Sequence, residues 1–160
     1  MRTAASFLLC LAVLCFASPA HAKNMPAPSW GASVSFVLEQ HAPSSFFGET
    51  SKSLLFSVPV YVLSTKESIH GHPCSVLYSF FEGKLLEYMM FFSGEKESLH
   101  REIRACFLKE HLPYQGPYFA GIEDVFISKD HSTFYLLLSG RETMIYALDA
   151  RAYDNFMNRR

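Results

Sequence analysis

The sequence predicts an α+β domain: an antiparallel sheet of about six to seven strands, with one long helix packed on it and two short helices, in the order ββ-α-ββ-α-βββ-α. Three observations lead there. The hydrophobic repeat is close to 2 along most of the chain and switches once, after Ser93-Gly94, to 3.6. The connections between strand-like runs are too short for the crossovers that parallel strands need. Beyond the first 22 residues, 22 of the remaining 138 are Phe, Tyr or Trp, residues that favour strands and bury large areas.

In chain order, residues 34–40 and 54–64 are rich in β-branched and apolar residues and read as strands. Pro43 and the Ser-rich stretch that follows form their connection. Pro59 lacks the donor a ladder needs, which places the second run at a sheet edge or a bulge. Ser64 followed by Glu67 is a capping box, and Gly71 with Pro73 is a helix stop, so one or two helical turns are expected between them. Residues 76–81 and 85–92 flank Glu82-Gly83, the two-residue turn of a tight hairpin. Leu99, Ile103, Cys106 and Phe107 then fall at i, i+4, i+7 and i+8, the apolar stripe of an amphipathic helix over 95–112 that Pro113 ends. After a loop with two prolines and two glycines, three runs at 122–128, 133–138 and 143–148 read as a meander, and Asp149 as the N-cap of a short terminal helix.

The first 22 residues have the layout of a secretory signal: Arg2, an unbroken apolar run from Phe7 to Phe16, and Ala20-His21-Ala22 as a small-x-small cleavage site. Residues 23–30 carry two prolines and no periodicity and read as a flexible N-terminal arm, leaving 31–160 as a single domain. From Lys23 onward, 13 Lys and Arg stand against 15 Asp and Glu, a net charge of −2, which excludes a basic nucleic-acid binder. No other apolar run reaches the roughly 18 residues that a membrane span requires. A periplasmic or secreted location follows as an expectation.

Several side-chain groups invite a chemical reading. Cys74 and Cys106 are an even pair in a chain bound for an oxidising compartment. Cys106 lies on the apolar face of the long helix, and a disulfide between the two is expected. His70, His72 and Cys74 alternate, and Glu67-x-x-His70 recurs as Glu97-x-x-His100 in the segments KESIH and KESLH. That makes His70, His72, Glu67, Glu97 and His100 candidate metal ligands. The competing reading is that each KES begins a helix, where Glu satisfies orphan amides. The sequence has no GxSxG, no HExxH and no glycine-rich phosphate loop. Nothing in it calls for catalysis or a cofactor.

The expected function is a non-catalytic binding module that recognises a protein or an envelope component, with homodimerisation and a metal-binding or enzymatic role for the KES segments as alternatives. Consecutive strand residues point to opposite faces, yet Met89 to Phe92 are all apolar, so both faces of the hairpin want cover. Tyr88, Met90 and Phe92 are the expected partner-binding residues.

Overall fold

The computed structural model describes residues 29–40, 49–53, 55–56, 58–69, 71–93, 96–140 and 142–159. The expected signal segment, residues 23–28 of the expected arm, and His70 lie outside them. Among the described residues, two four-strand meanders lie side by side in one antiparallel sheet. The first is β1 (Glu49–Lys52), β2 (Pro59–Ile69), β3 (His72–Phe81) and β4 (Lys84–Phe92). The second is β5 (Leu112–Pro113), β6 (Asp124–Ile127), β7 (Thr133–Ser139) and β8 (Thr143–Asp149). The spatial order is β1-β2-β3-β4-β8-β7-β6-β5, so the last strand of each meander meets the other at the centre. Helix α1 (Val34–Gln40) precedes the first meander, α2 (Lys96–Glu110) carries the chain from the centre to the far edge, and α3 (Ala150–Met157) follows the second. The α+β class is as the sequence predicts. No helix among the described residues is long and apolar enough to cross a membrane.

The β3–β4 hairpin turns through Glu82 and Gly83, at φ 50° and 75°, the two left-handed residues a two-residue turn requires. Asp149 caps α3 by accepting from the amides of Arg151 and Ala152. In α2, Leu99, Ile103 and Phe107 are buried, as their spacing requires.

The strand expected at 54–64 is found at Pro59–Ile69, β1 forms within the expected connection, and three further elements differ from expectation. Residues 34–40 form a helix because Ser33 caps it, its Oγ accepting from the Phe36 amide at 3.2 Å; the local cap outweighs the β-branched composition. No helix forms between Ser64 and Pro73. Here Leu63, Thr65 and Ile69 are buried with a period of 2, and β2 pairs with β3 without interruption from Tyr61↔Phe80 to Ile69↔His72, putting the supposed capping residue Glu67 in the ladder opposite Cys74. KESI is therefore strand in β2 while KESLH is helix in α2, tertiary pairing overriding a shared local preference. Finally, the arm is anchored by residue 30. The Trp30 indole donates to Thr133 Oγ1 at 2.9 Å and stacks on Tyr88, and the backbone beyond it pairs with β4 through Gly31 N to Leu85 O and Leu85 N to Ala32 O.

Each face of the sheet is packed by its own set of elements. On the α2 face, α1, Trp30 and α2 cover Leu63, Val76, Tyr78, Phe80, Tyr88, Met90, Phe92, Tyr135 and Ile145. On the opposite, α3 face, α3, the loop at 114–122 and Phe56 of the β1–β2 loop close over Val125, Phe134, Leu136, Tyr146 and Leu148. Phe119, at φ 63°, stacks on Tyr153 with ring centroids 4.9 Å apart, and Phe56 meets Tyr153 and Phe156 edge-on.

Candidate functional site

Sequence parity picked the wrong half of the hairpin. Tyr88, Met90 and Phe92 are 1%, 0% and 2% exposed, core residues of the α2 face, and so are not available to a partner. The reason is that α1 and Trp30 lie over the part of that face which α2 leaves open. The side chains of opposite parity are the ones left half-exposed on the α3 face: Leu77 on β3, Met89 and Phe91 on β4, Met144 on β8 and Leu138 on β7. They form one continuous row, for Leu77 pairs with Met89, Phe91 with Met144, and Met144 with Leu138. Among the described residues, neither core cluster takes in Leu77, Phe91 or Met144. Helix α3 and the loops gather at the other end of this face.

Cys74 and Cys106 are both free thiols, which corrects the expected disulfide. Cys74 is buried on β3 opposite Glu67, and Cys106, on α2, is only partly buried. Burial, reinforced by Glu67, pushes the Cys74 thiol up to about 12, so it is a packing residue without nucleophilic character. Titrating the denatured, unreduced chain from Lys23 onward with a thiol reagent should count two thiols; a count of zero would restore the bond.

The candidate metal ligands are not brought together. His72 pairs with Glu102 of α2, its Nε2 3.1 Å from Oε2. Glu67 sits on β2, and Glu97 and His100 on the first turns of α2. No three His, Cys, Asp or Glu side chains among the described residues are placed to hold a metal ion. His100 instead reaches Asp124 at the start of β6, Nε2 to Oδ2 3.1 Å, and Arg104 Nε donates to the other oxygen of Asp124 at 2.6 Å. This brace ties α2 to the sheet and stands between two clefts. One, of about 470 Å³, is lined by Glu97, His100, Arg101, Ser139 and Gly140. The other, of about 250 Å³, runs along residues 121–124 and 137–139. With its Nε2 committed to a carboxylate and its Nδ1 buried, His100 holds two elements together and presents no nitrogen to a reactant.

One group escaped sequence reasoning. Glu87, in the middle of β4, is 1% exposed on the α3 face. Its Oε2 accepts from the Tyr146 hydroxyl and from Ser53 Oγ, the latter at 2.8 Å. Ser79, directly opposite on β3, places its hydroxyl beside the carboxyl, and among the described residues Oε1 accepts no well-directed hydrogen bond. Burial raises the carboxyl above the usual carboxylate range, against the lowering effect of the hydroxyls around it. The signal was present: Glu87 is the one charged residue between Lys84 and Glu95.

No family model matches the chain, and no curated protein or solved structure matches it.

Proposed function

We propose that the protein is an exported, non-catalytic binding module of the periplasm or cell envelope, recognising a protein or an envelope component through the open part of its α3 face. One observation carries the reading. Leu77, Met89, Phe91, Met144 and Leu138 come from four neighbouring strands and stand half-exposed in one row, a contiguous apolar surface of the kind that marks interaction sites. The arrangement also suits a partner, because the strands carrying the row are interior to the sheet and each is hydrogen-bonded to a neighbour on both sides. Export rests on the leader, with Arg2, the apolar run and Ala20-His21-Ala22 in order.

The reading is tested on protein expressed with its leader. The chain should be recovered from the envelope fraction with an intact mass starting at Lys23, and Phe91→Lys and Met144→Lys should each abolish co-sedimentation with envelope proteins while leaving the thermal transition within a few degrees. Full-length material confined to the cytoplasm, or unchanged co-sedimentation by both variants, would refute it. A parent chain that sediments as a dimer, and turns monomeric in both variants without any other partner, would replace the reading with self-association.

A further inference from the structure

Glu87 is an acid set among hydroxyls. It is 1% exposed, and the polar side chains that act on it among the described residues are Tyr146 from β8, Ser79 from β3 and Ser53 just beyond the end of β1. Around them the face is apolar: Leu148, the ladder neighbour of Glu87 on β8, and Tyr146 belong to the α3-face core, into which Leu55, Phe56 and Val58 also pack. The Tyr146 hydroxyl is itself held protonated, since burial and the neighbouring Glu87 both raise it above the usual phenol range.

The two oxygens of the carboxyl are served unequally. Oε2 accepts from both Tyr146 and Ser53, as a carbonyl oxygen with two lone pairs does, whereas Oε1 accepts no well-directed hydrogen bond and lies beside the Ser79 hydroxyl. A carboxylate would leave half of its charge on an oxygen without a well-placed donor, with no described cation acting on it, and an unpaired buried charge is far costlier than a neutral polar group. A carboxylic acid fits the same surroundings: Oε2 is its carbonyl, Oε1 its hydroxyl, and Ser79 Oγ is placed to accept the proton.

We propose that Glu87 is held in the folded protein as a neutral acid with its proton on Oε1, and that part of the fold's stability depends on that proton, present in acid and withdrawn as the group ionises. The device works in the free chain and does not depend on what the α3 face binds.

The sign follows from linkage. Burial raises the folded-state carboxyl above its ordinary value of 4.5, against the lowering effect of the three hydroxyls. The folded chain therefore binds this proton more tightly than the unfolded chain. Its contribution is complete below the ordinary value, falls as pH rises from there to the raised value, and is constant beyond it.

Glu87→Gln mimics the neutral acid, with the amide oxygen in place of Oε2 and the amide nitrogen in place of the Oε1 hydroxyl. Urea denaturation of parent and variant across pH measures the difference between them. Below about pH 4 the two should stay a constant distance apart; above it the folding equilibrium constant of the parent should fall relative to that of the variant, by up to about tenfold per pH unit, until Glu87 is ionised. The comparison removes the titrating groups that both chains share, His111 among them, which burial pushes down. A purely structural role for Glu87 would change the level of stability but not its dependence on pH. A difference that is constant at every pH, or that widens toward acid, would overturn the proposal. If Glu87→Gln does not fold, infrared spectra of the parent decide. The carbonyl band of a protonated carboxylic acid should outlast the ordinary carboxylate range as pH rises, and outlast it further in Tyr146→Phe, which loses a donor that favours the charged form. Loss of all such absorption within the ordinary range would overturn the proposal, as would a band that Tyr146→Phe leaves unmoved.

Discussion

In Met90→Lys the cooperative thermal transition is expected to be lost, while Phe91→Lys, one residue along the same strand, melts within a few degrees of the parent chain. Met90 is completely buried against Val76 and Ile145, its neighbours in the ladder, and shares its cluster with the underside of α2. An ammonium placed there has no described acid within its cluster to pair with, and uncompensated burial of a charge belongs to the few mechanisms that cost more than about 4 kcal/mol, a large part of a domain's 5 to 15 kcal/mol. Phe91 points to the opposite face, where its half-exposed position lets a lysine carry its charge into water. Circular dichroism melts of the two variants measure the difference. Equal destabilisation would mean that both faces of β4 are equally enclosed.

The second large effect is expected at Phe107. It is 1% exposed and joins α2 to the second meander, its ring 5.3 Å from those of Phe126 and Tyr135 and 4.9 Å from His111. Truncation to alanine leaves a ring-sized void at the point where three elements meet. A loss of about 3 to 5 kcal/mol is expected, and chemical denaturation should show it as a lower midpoint with an unchanged slope. A loss below about 1 kcal/mol would mean that α2 is not seated on the sheet through this residue.

How far the sequence could be read depended on whether a signal was local. The Glu82-Gly83 turn, the Asp149 cap and the Leu99, Ile103, Phe107 stripe each state their structure within a few residues, and all three are found. Ser64 and Glu67 offered an equally local helix start, but nine residues of ladder with β3 were worth more than one cap, and nothing inside KESIH announces its distant partner. The short strands β1 and β5, four and two residues long, carry almost no pattern of their own and exist as edges added to β2 and β6. The candidate site was half legible. That the hairpin is apolar on both sides is plain in MMFF, but which side meets helices depends on where α1 and Trp30 come to rest, and Trp30 finds Thr133 from 103 residues away. Glu87 stood out as a lone acid in an apolar strand, yet its partners Ser53 and Tyr146 are 34 and 59 residues distant, so its burial among hydroxyls emerges only from the packing.

The most direct test of the binding reading is a photo-crosslinker placed at position 91 in cells expressing the full chain, with position 108, an exposed leucine of α2 that is 44% accessible, as the control. The account predicts one discrete adduct from position 91, lost when Met144→Lys is added, and none of the same mass from position 108. No adduct from position 91, or the same adduct from both positions, would contradict it.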